Sequence, residues 1–347
     1  MPFSHHSHSG QFCSHAENTL EEMVQAAISR GFQVYSLTEH MPRDKEDFYP
    51  EEVRTSVMLT RSIAPSNLVF QQEKSCSEEG LVQLMDNFYS EAVRLRKKYA
   101  SQIQILIGFE SEWIRPSSLK LIQTLLGKHT FDFFVGSVHH VHTISIDFDR
   151  PKYEDARLKA GGTDERLFED YFDSQYSMLQ AIQPPVVGHF DLIRLLSDER
   201  EEGFRRWDGV WERIQRNLEY VVWYGGVLEL NSSALRKGMS EPYPCLEICE
   251  VCYAFHIRLF LHMKLTPLCQ EFLRIGGCFT LSDDSHSVDQ VGTNYRRLLE
   301  FIRRAEIPEI YFVERGPRGR DRRFSNSRFS RVTSSELEGH SFWGLNP

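Results

Sequence analysis

Residues 34–40 read Val34-Tyr35-Ser36-Leu37-Thr38-Glu39-His40, an apolar run that ends in a carboxylate and an imidazole. The apolar runs 103–110, 131–139 and 186–189 end in the same kinds of side chain, namely Glu110, His139 and His189. Short runs of this composition are typical of strands that are buried on both faces of a parallel sheet. Because parallel strands present their carboxyl ends at one edge, we expect these terminal side chains to lie close together. The pattern predicts an α/β fold with metal-ligand chemistry at that edge.

Amphipathic helices are predicted between these strands. A capping-box pattern from Thr19 to Glu22 opens a helix that ends before Gly31. Further helices are predicted at residues 86–99, 117–127, 166–182 and 209–223, and further strands at 226–231, 278–282 and 308–313. Strands that alternate with helices indicate βαβ units, and enough of these units can close a barrel.

Composition excludes several classes of protein. The 347 residues are 41% hydrophobic, which suits one large α/β unit with a sizeable core. Lysine and arginine number 40 against 49 acidic residues, so the formal net charge is −9. A nucleic-acid binder needs a basic face, so we expect no nucleic-acid partner. We expect no membrane partner either, because the sequence has no apolar run of about 18 residues.

The seven cysteines indicate a reducing compartment. Their number is odd, and the N-terminus has no apolar signal segment, so a cytoplasmic location is predicted. Cys249-Glu250-Val251-Cys252 forms a CxxC pattern without a second pair, and we interpret these residues as ordinary buried thiols.

Two pairs of candidate metal ligands lie at opposite ends of the chain, in His6-Ser7-His8 and Asp284-Ser285-His286. In extended backbone, residues i and i+2 point the same way, so each pair can bind one ion. A chance histidine-rich N-terminus is the alternative for the first pair, since His5 adjoins it. Imidazoles and carboxylates together suit divalent zinc, manganese or iron.

The strand-end residues His40, Glu110, His139 and His189 complete this candidate set. A carboxylate after an apolar run needs a buried partner, and a cation supplies one. His15 follows His8 in a polar loop and is a further candidate ligand, with Glu17 as the alternative. For His140 and His142, just beyond a strand end, substrate contact or support of the metal ligands competes with simple loop exposure.

These blocks resemble the PHP superfamily (polymerase and histidinol phosphatase), and within it the monofunctional histidinol-phosphatases. The resemblance covers roughly residues 3–312 and is carried by His6-Ser7-His8, Thr38-Glu39-His40, Gly108-Phe109-Glu110, Gly136-Ser137-Val138-His139, Gly188-His189 and Asp284-Ser285-His286. Glu229-Leu230-Asn231-Ser232-Ser233-Ala234-Leu235-Arg236 and Glu241-Pro242-Tyr243-Pro244 are the features more specific to the histidinol-phosphatases.

The resemblance implies a distorted seven-stranded (β/α) barrel of the PHP type that holds up to three divalent ions. It implies hydrolysis of a small-molecule phosphomonoester, L-histidinol phosphate, to L-histidinol and phosphate in histidine biosynthesis. The implied metal ligands are His6, His8, His15, His40, Glu110, His139, His189, Asp284 and His286. Two features depart from the family: Thr-Glu-His replaces Thr-Asp-His, and the spacing from His8 to His15 is about one residue longer than usual.

Residues 1–314 are accordingly expected to form a metal-dependent phosphatase domain. Polar insertions are expected at 42–85, over one mouth of the barrel, and at 142–165. Residues 315–347, which begin with an arginine-rich stretch, are expected to form a basic, loosely ordered tail. A solvated tail is the preferred interpretation, with a partner- or polyanion-binding arm as the alternative.

Hydrolysis of a phosphate monoester requires strong preorganised positive charge. We expect a metal-bound hydroxide to attack phosphorus in line, without a covalent intermediate. Arg194 and Arg236 lie just past strand ends and are candidates for catalytic contacts with the bound phosphate, with surface salt bridging as the alternative. Asp191 and a metal-bound water are candidate general acids. Glu112 is a candidate for the substrate ammonium or for a supporting role behind Glu110.

Three other functions fit parts of the pattern. A PHP phosphodiesterase or nuclease-like editing domain would use the same ligands. An amidohydrolase-type barrel also begins with His-x-His, but Glu110, His139 and the Asp-x-His ending fit it less well. A non-catalytic metal-binding scaffold would predict substituted ligand positions, whereas here every position is occupied. The sequence leaves the oligomeric state open.

Overall fold

The computed structural model describes residues 2–49, 52, 77–249, 277–316, 327–340 and 342–345. The strands are β1 Phe3–Ser4, β2 Val34–Leu37, β3 Gln104–Ile107, β4 Glu110–Glu112, β5 Val135–Ser137, β6 His140–Val141, β7 Ile144–Ser145, β8 Val186–Val187, β9 Val227–Asn231, β10 Cys278–Ser282, β11 Glu309–Arg315 and β12 Ser327–Thr333. The helices are α1 Leu20–Ser29, α2 Glu78–Lys98, α3 Ser118–Lys128, α4 Arg150–Lys159, α5 Asp164–Ile182, α6 Asp208–Tyr224, α7 Ser233–Arg236, α8 Tyr295–Arg304, α9 Ser334–Glu338 and α10 Phe342–Leu345. Most of the predicted strands and helices therefore form within a few residues of their predicted positions.

Within the described residues, the strands lie in three sheets. One is parallel, with the order β1-β2-β3, and a larger one has the order β12-β11-β10-β9-β8-β5-β4. All pairings in the larger sheet are parallel except β11 with β12, and β6 and β7 form a separate antiparallel hairpin. The predicted α/β class is confirmed. The seven-stranded barrel is not confirmed, because the strand count differs and the strands form separate sheets.

Backbone hydrogen bonds connect the two parallel sheets on both sides. His5 donates its N–H to the carbonyl of Leu281 at 3.1 Å, which joins the residue after β1 to β10. Asp132 donates to the carbonyl of Ile107 at 2.8 Å, which joins β3 to the segment before β5. These connections bring the carboxyl ends of strands from both sheets to the same side of the molecule.

Helix α1 illustrates why the helices form where they do. The side chain of its cap residue Thr19 accepts the backbone N–H of Glu22, and the Glu22 side chain accepts the backbone N–H of Thr19. These two bonds complete the predicted capping box. The apolar stripe then buries Leu20, Met23 and Val24 against the core. The apolar residues that recur with the predicted helical spacing are thus the ones that pack against the core.

Two glycines allow close approach beside the strand-end histidines. A Cβ on Gly188 would lie 2.5 Å from Ser137 Oγ, and one on Gly136 would lie 2.4 Å from Pro184 Cγ. Side chains do not tolerate such distances, so β5 and β8 pack this tightly because both positions are glycine.

The C-terminal segment differs from the expected loose tail in its described part. β12 pairs along its whole length with β11, from Glu309 opposite Thr333 to Arg315 opposite Ser327. After it, Leu337 of α9 and Phe342 of α10 are buried. The predicted boundary at residue 315 is therefore not an end of the fold, because these residues cover the edge of β11 and part of the core.

The expected polar insertions also contain regular structure. Residues 142–165 include β7 and helix α4, which buries Tyr153 and Ala156. The described part of 42–85 includes a 3-10 turn at Lys45–Asp47 and the start of α2, whereas most of this insertion lies outside the described residues. The predicted CxxC is only partly described: Cys249 is buried, and Cys252 lies outside the described residues. In the part of the chain that the structure describes, no helix is long and apolar enough to span a bilayer.

Candidate metal centre

The predicted ligands meet at the carboxyl ends of the parallel strands. His6 and His8 follow β1, His40 follows β2, and Glu110 opens β4. His139 follows β5, His189 follows β8, and Asp284 and His286 follow β10. The backbone pairs Ser7 with Ser285, so the His6–His8 and Asp284–His286 segments lie side by side, and it also pairs His40 with Glu110. Strand topology therefore explains how residues almost 280 positions apart reach one site.

Glu110 lies at the centre of this cluster and is buried. Its Oε2 atom lies 3.3 Å from His6 Nε2, 3.4 Å from His8 Nε2 and 3.0 Å from His40 Nδ1. Its Oε1 atom lies 3.0 Å from His189 Nε2 and 3.4 Å from His139 Nε2. One carboxylate thus faces five imidazoles, which is an arrangement that suits a ligand shared between ions.

The donor atoms fall into three groups, within each of which all ligand atoms lie within 4.8 Å of one another. The groups are His6, His8 and Asp284; Glu110, His139 and His189; and His8, Cys13, His40 and His286. Both buried ring nitrogens of His8 lack a hydrogen-bond partner, and His6 Nε2 and His40 Nδ1 face the Glu110 carboxylate without an aligned hydrogen bond. Buried ring nitrogens of this kind are costly unless a partner satisfies them, and a cation can do so by binding a nitrogen lone pair, so the residues fit a cluster of divalent ions.

The carboxylates of the cluster are held in their charged form. Burial by itself raises the pKa of Glu110, but His6, His139 and His40 outweigh it and lower that pKa well below its usual value. Burial also raises the pKa of Asp284, and His6 and His286 again shift the balance so that the pKa is lowered. Both groups are therefore available as anionic ligands at neutral pH.

Glu229 supports the cluster and was not predicted from the sequence. Its carboxylate accepts hydrogen bonds from the backbone N–H of His189 at 2.6 Å and from Ser282 Oγ at 2.7 Å, and it lies 3.0 Å from His6 Nδ1. The sequence signal was present, because Glu229 interrupts an apolar strand. A bond at Nδ1 leaves His6 Nε2 to face the ions, which is the usual way that outer residues orient a histidine ligand.

Cys13, in the loop after His8, is a second residue of the cluster that was not predicted as a candidate ligand. Its sulfur lies 3.2 Å from His15 Nε2 and belongs to one of the three ligand groups, whereas His15 belongs to none of them. The His15 ring stacks on His286, with a distance of 5.1 Å between ring centroids. The alternative ligand Glu17 is exposed and also lies outside the groups.

An open cleft of about 590 Å³ lies over the cluster. The ligands that line it are His15, His40, Glu110, His139, Asp284 and His286, and its other walls include Tyr49, Asp147, Phe148, Arg236 and Lys237. Arg236 is fixed by hydrogen bonds to the carbonyls of Asp283 at 3.0 Å and Asp284 at 2.9 Å. Arg236 therefore lies beside the predicted metal ligands, and its contact with phosphate stays a prediction. Asp147, Phe148 and Lys237 were not among the predicted site residues.

Arg194 and Asp191 do not line this cleft. The Arg194 side chain is buried, with Nε 2.8 Å from Asp191 Oδ2, and it donates to the carbonyl of Pro242 at 2.8 Å. Asp191 in turn accepts the backbone N–H of Cys245 at 3.1 Å. Both predicted catalytic side chains are therefore engaged with the 242–245 segment, because a buried charge is stable only when it is paired.

Glu112 and His140 are buried beside the cluster and do not line the cleft. Glu112 lies 3.2 Å from His40 Nδ1 and 3.2 Å from His139 Nδ1, and it also accepts a hydrogen bond from Tyr49. His140 Nδ1 lies 3.9 Å from Glu112. Of the two roles predicted for Glu112, this geometry favours support of the ligands over contact with a substrate. His142 is exposed and pairs with Asp170 at 2.7 Å.

Comparison with known proteins supports the same assignment. The PHP domain family model matches residues 4–233. A Schizosaccharomyces pombe protein named "Probable histidinol-phosphatase" is 41% identical over 92% of this chain and 92% of its own length. The histidinol-phosphatase of Saccharomyces cerevisiae is 31% identical over 86% of this chain and 87% of its own length.

A solved structure shares the fold. The histidinol phosphate phosphatase of Lactococcus lactis, complexed with zinc, L-histidinol and phosphate, covers 89% of this chain and 95% of that one, with a TM-score of 0.60 and 18% identity. The family match spans most of the chain, and it contains the strands that deliver His6, His8, His40, Glu110, His139 and His189. The chain therefore belongs to the PHP domain family.

Proposed function

We propose that this protein is a metal-dependent phosphomonoesterase that hydrolyses L-histidinol phosphate to L-histidinol and phosphate in histidine biosynthesis. The observation that carries the proposal is the Glu110 carboxylate, which lies within 3.4 Å of five imidazoles at the base of an open cleft. The names of the fungal relatives, which match along almost the whole chain, point to the same substrate.

The three ligand groups provide for up to three divalent ions of zinc, manganese or iron. The zinc in the Lactococcus lactis structure favours zinc among these. When bound, such ions lower the pKa of a water molecule that can act as the nucleophile, and they neutralise charge on the phosphoryl oxygens. We propose direct hydrolysis, with no phosphorylated side chain as an intermediate.

Arg236 and Lys237 are proposed to bind the phosphate. Both line the cleft beside Asp284, and the two carbonyls that accept from Arg236 hold its guanidinium in place. A fixed guanidinium binds phosphate in two parallel hydrogen bonds, whereas the exposed Lys237 adds a mobile positive charge. These cations explain how an acidic protein can bind a phosphate dianion.

Asp147 and Phe148 are proposed to contact the remainder of the substrate. They lie in the segment after β7 and form another part of the cleft wall. Phe148 is 47% exposed, so its ring is available to cover an imidazole, and the Asp147 carboxylate suits an ammonium group. A phosphodiester substrate without an ammonium group would bring no cation to Asp147, whose carboxylate accepts a hydrogen bond from Ser145 at 3.1 Å.

Arg194, Asp191, Glu112 and His140 are proposed as positioning residues. Arg194 and Asp191 hold residues 242–245, whose Tyr243 pairs with Asn231 at the end of β9. This pairing supports the strand that carries Glu229. We assign no general acid among these side chains, and a water molecule remains the alternative proton donor.

We further propose that seven strands close into a distorted PHP-type barrel through the backbone bonds that join β1 to β10 and β3 to the segment before β5. Residues 1–314 would carry the chemistry, with the C-terminal residues as a structural addition. A cytoplasmic location fits a small-molecule biosynthetic enzyme with free thiols.

The test is phosphate release by the purified protein. With zinc or manganese, we expect turnover of L-histidinol phosphate, little hydrolysis of a phosphodiester such as bis(4-nitrophenyl) phosphate, and loss of activity on addition of a chelator. Preferred hydrolysis of the diester would favour the phosphodiesterase alternative. Absence of turnover with every metal and every substrate would favour a non-catalytic scaffold.

A further inference from the structure

Tyr49 lines the open cleft over the metal ligands, although it belongs to no helix or strand. It follows the short 3-10 turn Lys45–Asp47, in the described start of the 42–85 insertion. Side chains in irregular segments are usually more mobile than those of helices and strands, and such segments often carry binding residues. Whether Tyr49 can serve as a binding group therefore depends on the contacts that fix it.

Contacts on every part of the residue hold Tyr49 in place. The Arg43 guanidinium carbon lies 3.7 Å from the centre of the ring, within cation–π distance. Glu52 accepts the Tyr49 backbone N–H at 2.8 Å and a hydrogen bond from Arg43 Nη2 at 2.9 Å. The ring also meets the rings of His15 and His40, with centroid distances of 5.5 and 5.7 Å. Tyr49 is thus preorganised in the cleft wall before any ligand arrives.

The direction of one hydrogen bond sets the polarity of the Tyr49 hydroxyl. This hydroxyl donates its proton to the buried Glu112 carboxylate, which can only accept. Because a phenol has a single proton, the oxygen offers only lone pairs to any other partner. Donation to a carboxylate also strengthens the oxygen as an acceptor, since hydrogen bonds in a chain polarise one another. The oxygen therefore suits a ligand N–H and not a phosphate oxygen.

We propose that Tyr49 is a specificity-determining residue whose hydroxyl oxygen accepts an N–H of the substrate, from its ammonium or its imidazole group. The proposal rests on the proposed function and names a further contact for the nitrogen-bearing part of the substrate. Arg236 and Lys237 supply donors for the phosphate in the same cleft, so Tyr49 supplies the complementary acceptor. A phosphomonoester without an N–H gains nothing from this acceptor.

The substitution Tyr49→Phe tests this role, because it removes the hydroxyl and keeps the ring against Arg43. Activity of the zinc-loaded, full-length protein is measured with L-histidinol phosphate and with 4-nitrophenyl phosphate, which has no N–H. Loss of one hydrogen bond should lower the ratio of the two kcat/KM values by about 3–10-fold, mainly through KM for L-histidinol phosphate. The control is Tyr220→Phe, whose hydroxyl accepts from Gln183 at 3.3 Å outside the cleft, and it should keep the wild-type ratio.

Two substrate analogues identify the group that donates to Tyr49. Phosphoethanolamine carries an ammonium without an imidazole, whereas an imidazolylethyl phosphate carries an imidazole without an ammonium. The analogue whose kcat/KM falls in Tyr49→Phe, relative to that of 4-nitrophenyl phosphate, carries the N–H that Tyr49 accepts. A relative fall with neither analogue would contradict the proposal.

An unchanged ratio in Tyr49→Phe would overturn the proposal. An equal loss on both substrates would also overturn it, because that result would assign Tyr49 to general support of the site through Glu112. Failure of the proposed function is a separate result, seen as a wild type that releases no phosphate. Calorimetric titration with L-histidinol needs no turnover: weaker binding to Tyr49→Phe than to the wild type would still support the contact, and equal binding or none would overturn it.

Discussion

Glu229 shows how a single buried charge is used in this protein. Its side chain has no solvent exposure, and a lone carboxylate in such a place would cost several kcal/mol. Donors from His189, Asn231 and Ser282 surround it, together with His6. Burial alone raises the pKa of Glu229, yet His6 reverses the shift and lowers it, so the carboxylate remains charged.

We expect Glu229→Gln to weaken metal binding. Glutamine keeps the shape but loses the charge that orients His6, and changes of this kind typically cost about 10–100-fold in metal affinity or activity. Metal content after dialysis and kcat with added zinc would measure the loss. Glu219→Gln, at an exposed position of α6, is the matched control. Full metal content and full activity in Glu229→Gln would contradict the supporting role.

Arg236→Ala should weaken recognition of the phosphate. Removing one charge-assisted contact costs about 1.5–3 kcal/mol, which corresponds to roughly a 10–150-fold loss in kcat/KM. Arg236→Lys should recover part of this loss, because lysine keeps the charge but not the forked geometry. Arg331→Ala on β12, where the side chain pairs with Glu309, is the control. An unchanged kcat/KM in Arg236→Ala would show that Arg236 does not contribute to phosphate recognition.

At the scale of whole elements, the C-terminal residues act as part of the fold. β12 covers the edge of β11, and exposed strand edges are prone to pair with other chains. Beyond it, the Phe342 ring lies 4.9 Å from that of Phe32 and 6.2 Å from that of Tyr295, measured between centroids. The end of the chain thus packs on the segment between α1 and β2 and on the start of α8.

Phe342→Ala should destabilise the protein although it is far from the metal centre in sequence. The side chain is 1% exposed, and truncation of a buried phenylalanine costs about 3–5 kcal/mol. Denaturant unfolding would measure the change. Trp223→Ala, at a position that is 61% exposed, should change stability by no more than about 0.5 kcal/mol. Equal stability of Phe342→Ala and the wild type would instead support the original expectation of a loosely ordered tail.

For the molecule as a whole, the candidate metal centre joins the ends of β1 and β10, which lie far apart in the sequence. His6 and His8 follow β1, and Asp284 and His286 follow β10, so bound ions would hold both ends of the domain in place. A group that binds only the folded state raises the free energy of unfolding by mass action. The stability of the entire domain is therefore expected to depend on metal loading.

Chelation should lower the stability of the whole protein and not only its activity. At a free zinc concentration 100 times Kd, each site contributes about 2.7 kcal/mol, which is lost when the ion is removed. Thermal unfolding of the dialysed, metal-free protein and of the same sample after zinc is restored would measure the difference. An identical Tm in the two states would contradict the prediction that bound metal stabilises the fold.

Local sequence is enough to predict the strands and the residues at their ends. Alternation of apolar runs and amphipathic helices is local information, and so His40, Glu110, His139 and His189 could be predicted as a set before any contact was known. The i, i+2 pairs of His6 with His8 and Asp284 with His286 were visible for the same reason. The resemblance of these segments to the PHP superfamily added the expectation of metal-dependent phosphomonoester hydrolysis.

Tertiary contacts, by contrast, determine which side chains line the cluster and which support it from behind. Cys13 lies beside His15 in the cluster, Glu229 lies behind His6, and Arg194 pairs with Asp191 outside the cleft. These outcomes depend on contacts between residues distant in the chain, and on the path of a loop. Local spacing does not specify such contacts, because burial and charge pairing act in three dimensions.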